Sequence, residues 1–280
     1  MNIYTAISQG SKILKENLIL TANLDSEILM AKVLNKDRKY VLLNSLQEIS
    51  NKDFNFYKSL ISKRSLRKPV AQLTNKKFFW NLEFYVNSDT LIPRPETELI
   101  VENVIEFTKQ KKNLQILDVG IGSGCILISI LKEKKTFYGT GIDISNKCLN
   151  ICKINALNQN VNTRLKLFKS NVDKFLIGKY DLIVSNPPYI NKSDLKYLEK
   201  DVREFEPKLA LDGGLDGLSE IRKVINKSSE LIKRSGHFII EIGFDQKNKV
   251  KKILHDNGFY IKKTIKDLSN HDRCIVSIKT

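Results

Sequence analysis

From residue 115 onward the chain alternates short apolar runs with amphipathic stretches of helical length, and this alternation constrains the fold more than any other feature. Runs such as Gln115-Ile116-Leu117-Asp118-Val119 and Tyr180-Asp181-Leu182-Ile183-Val184 are apolar almost throughout, the pattern of strands buried on both faces. Such strands separated by helices imply an α/β fold, a mostly parallel, doubly wound sheet. The pattern places strands at 115–119, 137–144, 164–168, 180–184, 237–242, 259–265 and 274–278. Helices are expected over 125–135, 146–158 and 248–257, with another after 218 running to 234 and a further one over 192–200. Residues 267–272 turn the chain back, so the sheet ends in an antiparallel hairpin.

In a sheet of this kind ligands bind at the carboxyl ends of the strands. The first strand runs into Gly120-Ile121-Gly122-Ser123-Gly124, where glycines let a ligand approach the backbone. The spacing is G-x-G-x-G; the dinucleotide fingerprint G-x-G-x-x-G would need a glycine where Cys125 stands. No G-x-x-x-x-G-K-S/T follows, so a P-loop is excluded. The second strand ends at Asp143, where such folds accept two ribose hydroxyls. Asp143 or Ser145 can equally cap the following helix, and both roles can hold together. The third strand reaches Asn171-Val172, on the side where an adenine would lie.

The fourth strand delivers Ser185-Asn186-Pro187-Pro188-Tyr189. Asn186 carries one carbonyl oxygen and one NH2 on a short side chain. The prolines have no N–H, so this corner presents carbonyl oxygens and few donors. Pro187 also keeps Asn186 extended. A planar nitrogen with two hydrogens, in an amide or an adenine, could donate to the Asn186 oxygen and to the Pro187 carbonyl, with the Tyr189 ring stacked at the rim. Two acceptors would also offset the positive charge such a nitrogen gains on alkylation.

Upstream, residues 1–68 carry helical periodicity, with no proline before Pro69 and Gly10 the sole glycine. They form an all-helical N-terminal domain. Residues 69–92 are aromatic and β-prone, with Asn81 as a turn, and read as a β-hairpin linker. Residues 93–280 form the remaining domain. At 91–98, Leu-Ile-Pro-Arg-Pro-Glu-Thr-Glu, the prolines make a rigid entry, and Glu96 and Glu98 suit the first turn of a helix. The charged, glycine-rich stretch 201–218 follows the Asn186 corner directly, as a lid or a substrate wall.

The 280 residues are 41% hydrophobic, enough for a core, and no run approaches the roughly 20 apolar residues of a membrane span. The first residues lack a signal peptide's apolar stretch, so the expected location is the cytoplasm. Net charge is +16, but lysines are scattered without an arginine-rich or aromatic-interleaved stripe, as a compositional bias would leave them. Sequence-specific nucleic-acid binding is therefore not expected. Cys125, Cys148, Cys152 and Cys274 form no CxxC pair and read as free thiols. The three histidines are isolated in sequence, and no metal site is expected.

The element order, the glycine loop and Asp143 resemble the seven-stranded class I S-adenosylmethionine-dependent methyltransferases. Four stretches, 91–98, 118–124, 185–190 and 201–218, resemble the bacterial release-factor glutamine methyltransferases (the PrmC or HemK family). The resemblance implies a methyl donor, S-adenosylmethionine, held by Gly120, Ile121, Gly122, Ser123, Gly124, Asp143, Asn171, Val172 and Asn186. It implies substrate binding by Asn186, Pro187, Pro188 and Tyr189, with Asn186, Pro187 and Tyr189 catalytic. The implied substrate is the glutamine of the Gly-Gly-Gln tip of class I peptide-chain release factors, with the helical domain recognising it. Alternatives are a ribosomal-protein glutamine and an adenine-N6 of DNA or RNA. The family commonly has an acid and an aromatic residue near the adenine; here Asn171 and Val172 stand there, which implies weaker cofactor affinity.

Overall fold

A computed structural model describes residues 1–280. The chain divides into two units, residues 1–76 with 199–205, and residues 77–198 with 206–280.

The first unit is helical. Helices Ile3–Glu16, Ala22–Leu34, Arg38–Leu43 and Asn51–Ser65 are followed by the short Val70–Thr74. Asn2, Asp37 and Ser50 each cap a helix by accepting a backbone N–H through the side chain. The apolar faces meet in a core that includes Ile3, Leu14, Leu29, Met30 and Tyr57. Residues 70–74, expected to be β-prone, are helical instead. The carbonyl of Pro69 accepts from the N–H groups of Gln72 and Leu73, and Leu73 is buried in the helical core. Burial of one face outweighs the weak strand preference of a five-residue segment.

The helix Lys200–Phe205 belongs to this unit although it lies 124 residues beyond Lys76 in the chain. Arg64 joins it to the helix Ala22–Leu34: the guanidinium lies 2.8 Å from Asp25 and 2.6 Å from Asp201. The region 192–200, expected to be one helix, has only a 3-10 turn at Leu195–Tyr197, and the α-helix starts at Lys200. Arg64 and Asp25 are both buried, so removing the cation strands negative charge in a low-dielectric setting. Arg64→Ala is expected to destabilise this unit by about 3–5 kcal/mol, read as a lower urea midpoint.

The second unit opens with a hairpin, β1 (Lys76–Phe79) and β2 (Leu82–Tyr85). Trp80 and Asn81 both have positive φ at its two-residue turn, as a type I′ turn requires. Seven strands follow: β3 (Gln115–Val119), β4 (Tyr138–Asp143), β5 (Leu165–Lys169), β6 (Tyr180–Ser185), β7 (Ile232–Glu241), β8 (Phe259–Lys266) and β9 (Asp272–Lys279). They form one sheet in the order β5-β4-β3-β6-β7-β9-β8. The first five are parallel, and β9 pairs antiparallel with both β7 and β8. The expected doubly wound α/β sheet with a closing hairpin is what the chain forms. No helix is long and apolar enough to cross a membrane.

Strand order reverses between β3 and β6, the position where open α/β sheets form a ligand crevice. The register fixes what emerges there. Ser185 of β6 stands between Val119 of β3 and Ile240 of β7, while Val119 also pairs with Ile142 of β4. The next residue of each strand, Gly120, Asp143, Asn186 and Glu241, therefore lies at the same edge.

Candidate active site

Gly120, Gly122 and Gly124 have φ of 77°, 54° and 83°, values that favour glycine. The backbone N–H of Gly122 donates to Asp143 Oδ2 at 3.0 Å and that of Ser145 donates to Oδ1 at 2.8 Å. One carboxylate thus braces the glycine turn and the start of the helix Asn146–Asn158, while the Ser145 hydroxyl caps that helix. Burial pushes the Asp143 carboxyl up, and the two backbone donors oppose the shift. A Cβ built on Gly120 would meet nothing within 4 Å, so the backbone there is open to a ligand. Gly124 differs: a Cβ would stand 2.6 Å from Cys152 Sγ and from Ile128.

These elements border a cavity of about 540 Å³. Gly120, Ile121, Gly122, Ser123, Asp143, Asn171, Val172, Asn186, Pro187 and Pro188 all line it. Gly124 and Tyr189, expected among the site residues, do not. Gly124 is a packing glycine at a helix start. Tyr189, expected to hold a stacking ring at the rim, packs its ring against the core, and its hydroxyl donates to Glu241 at 3.3 Å. The prolines fix the corner, and the acceptor of the hydroxyl is a buried carboxylate at the end of β7, which holds the ring inward. Asn171 turns its side-chain oxygen to its own backbone, accepting from Asp173 N at 3.3 Å, which leaves its NH2 as the available group. Val172 is buried in the core.

Asn186 donates through Nδ2 to Thr97 Oγ1 at 3.1 Å, and Thr97 donates to Glu241 Oε2 at 2.7 Å. No protein donor reaches Asn186 Oδ1 or the Pro187 carbonyl. Two acceptors are thus left unpaired on residues that line one cavity. Ser185 below them donates to the Val119 carbonyl at 2.8 Å and ties the two central strands at their ends.

The stretches 91–98 and 201–218 meet at Glu206, whose carboxylate accepts from Ile92 N at 3.0 Å and pairs with Arg94 at 2.5 Å. The loop beyond it is tied down. Gly213 N donates to the Ile190 carbonyl at 2.8 Å, and Gln246 Nε2 donates to the carbonyls of Tyr189 and Gly217 at 2.9 and 3.0 Å. Of the expected lid or wall, this is a wall. Cys125 and Cys148 also line the cavity, and burial pushes their thiols up to about 12 and about 11. They are uncharged at neutral pH and therefore not nucleophiles.

Thr97, Glu206 and Glu241 carried no role in the sequence reading. Thr97 sits in a stretch that helix-start chemistry alone explains. Glu241 had a usable signal, an acid ending the apolar run of the strand beside β6. Burial pushes its carboxyl up to about 7. The unfolded chain releases that proton in the ordinary carboxylate range, so between there and pH 7 the folded state binds more protons. Stability then falls as pH rises through this window, by about 3 kcal/mol in all, and is flat with respect to this group above it. Glu241→Gln is expected to remove this part of the slope, measured by urea denaturation at steps between pH 5 and pH 8.

Comparison with known proteins gives two family matches. The PrmC N-terminal domain family matches residues 5–74, and the methyltransferase small domain family matches residues 95–216. The chain is 35% identical over 267 residues to the release factor glutamine methyltransferase of Caulobacter vibrioides, covering 95% of this chain and 92% of that protein. It is 38% identical over 274 residues to the protein of the same name from Clostridium botulinum, covering 97% of each. Among solved structures, a methyltransferase from Pyrococcus furiosus matches with a TM-score of 0.54 at 18% identity, over 78% of this chain and 98% of that one. A ribosomal protein L11 methylase from Lactobacillus delbrueckii subsp. bulgaricus matches with a TM-score of 0.50 at 22% identity, over 67% of this chain and 81% of that one. These two likenesses show a shared fold.

Proposed function

The chain belongs to the family of release factor glutamine methyltransferases, and on that premise we propose that it methylates the side-chain nitrogen of the Gly-Gly-Gln glutamine in class I peptide-chain release factors, in the cytoplasm. The methyl donor is S-adenosylmethionine, which when bound supplies a methyl carbon on a positively charged sulfur. The residues fit that group: the open backbone at Gly120 leaves space for close approach, and each Asp143 oxygen, already accepting one backbone N–H, retains a lone pair for a ribose hydroxyl. Asn171 and Val172 line the same cavity and would border the adenine, with the Asn171 NH2 as donor.

The observation that carries the reading is the pair of unengaged acceptors, Asn186 Oδ1 and the Pro187 carbonyl, on the wall of the cavity that the glycine turn also lines. A carboxamide nitrogen is a weak nucleophile because its lone pair is delocalised. Asn186 and Pro187 accept its two hydrogens, turn the lone pair toward the incoming methyl and balance the charge that develops on nitrogen. The nitrogen would gain one bond to the methyl carbon as that carbon's bond to sulfur breaks, and would release one proton to water afterwards, so no strong base is needed. The helical unit is assigned to recognition of the release factor.

The test is incubation of the purified chain with S-adenosylmethionine labelled in the methyl group and either a class I release factor or nucleic acid. Label in the release factor alone supports the reading; label in the nucleic acid contradicts it.

A further inference from the structure

We infer that Thr97 and Glu241 are positioning residues that fix the polarity of the Asn186 amide, so that the site takes a primary carboxamide and turns away a carboxylate of the same shape. This inference rests on the functional reading above and adds to it a determinant of specificity.

An asparagine amide has two ends of nearly equal size and opposite hydrogen-bonding character. Which end faces the substrate is decided by what holds the other. Here Nδ2 meets Thr97 Oγ1 at 3.1 Å. The threonine hydroxyl has a single hydrogen, and it is committed to Glu241 Oε2 at 2.7 Å. A carboxylate only accepts, and the Tyr189 hydroxyl donates to its other oxygen at 3.3 Å. Toward Asn186, Thr97 therefore has only lone pairs to offer. Turning the amide over would set its oxygen against those lone pairs and leave its NH2 facing the cavity.

The chain of bonds thus runs one way, Asn186 to Thr97 to Glu241, with Tyr189 feeding the far oxygen. Its members come from the ends of β6 and β7 and from the turn Pro95–Thr97. Glu241 is 1% exposed, and holding it ionised there has a cost that packing alone would not select. Burial opposes ionisation most; the nearby Arg273 favours it and Glu96 opposes it.

The consequence concerns the substrate. With the amide oxygen and the Pro187 carbonyl both presented as acceptors, a group bearing two N–H hydrogens satisfies both. A glutamate side chain in the same place brings lone pairs and charge against two acceptors. Rejection by unpaired and repelling groups is the stronger form of discrimination between isosteres.

The test uses the full chain at pH 8, where Glu241 is ionised, with saturating S-adenosylmethionine. Methylation of a Gly-Gly-Gln release factor gives kcat and KM, and the same factor carrying Gly-Gly-Glu serves as competitor. The wild-type chain is expected to bind the competitor at least roughly ten-fold more weakly than the substrate. Thr97→Val is expected to lower kcat roughly 10- to 100-fold and to narrow that gap, because the amide is free to turn over. Thr97→Ser keeps the hydroxyl and is expected to recover both. Glu241→Gln is expected to narrow the gap as Thr97→Val does. A melting curve for each variant reports whether the fold survives.

Undiminished kcat and discrimination in Thr97→Val overturn the inference. So does loss of activity in Thr97→Val and Thr97→Ser alike with discrimination unchanged, which marks a role in packing only. Failure of the wild-type chain to methylate the Gly-Gly-Gln factor instead overturns the reading of function beneath it.

Discussion

Asn186→Ala is expected to slow methylation of release factor by about 10² to 10³ in turnover, with a smaller change in the KM for the factor. In the proposed reaction the side chain contributes one of the two acceptors for the reacting nitrogen, and its influence would be greatest as charge builds on that atom. The Pro187 carbonyl survives the substitution, so the loss stops well short of abolition. Stability should change little, because Asn186 is only half-buried and its one protein partner, Thr97, keeps its bond to Glu241. Single-turnover rates with wild-type and variant chains measure the effect, and a loss below about five-fold would remove Asn186 from the acceptor role argued above.

Asp143→Ala is expected to weaken S-adenosylmethionine binding on the order of 100-fold or more. Hydrogen bonds to a charged acceptor contribute about 1.5–3 kcal/mol each, and two ribose hydroxyls are assigned to this carboxylate. The same substitution frees the N–H groups of Gly122 and Ser145, which Asp143 now engages. The glycine turn therefore also loses its brace. Asp143→Asn keeps the shape and can accept at one atom only, so it should fall between wild type and alanine. Calorimetric titration with S-adenosylmethionine separates the three.

Much of this was legible in the chain because the signals are local. Buried parallel strands announce themselves as apolar runs, and the glycine turn, Asp143 and Asn186 each follow such a run directly. Residues whose partners lie far along the chain were not legible. Thr97 reaches Glu241 across 144 positions, and Glu206 reaches Ile92 across 114. Nothing in either neighbourhood announces the other. Asn155 is of the same kind. From inside a helix it accepts from Tyr85 N and donates to the carbonyls of Tyr85 and Ser123, clamping the hairpin and the glycine turn together.

Two readings failed for a related reason. Tyr189 reads as a rim residue because aromatic rings beside a site so often are. Its hydroxyl instead found a buried carboxylate that only the fold brings near. Residues 70–74 fall in the β-prone linker yet form a helix, because strand preference is weak and short segments follow their packing. In both places a contact distant in sequence overrode a local preference.

We propose that the proline-fixed corner at Asn186 presents a carboxamide nitrogen to an activated methyl carbon. Mass spectrometry of the Gly-Gly-Gln peptide, from release factor incubated with S-adenosylmethionine and either the wild-type chain or Asn186→Ala, tests it most directly. A single methyl group on the glutamine side chain is expected with the wild-type chain, and almost none in the same time with the variant. An unmodified glutamine with the wild-type chain, or equal methylation by both, would contradict it.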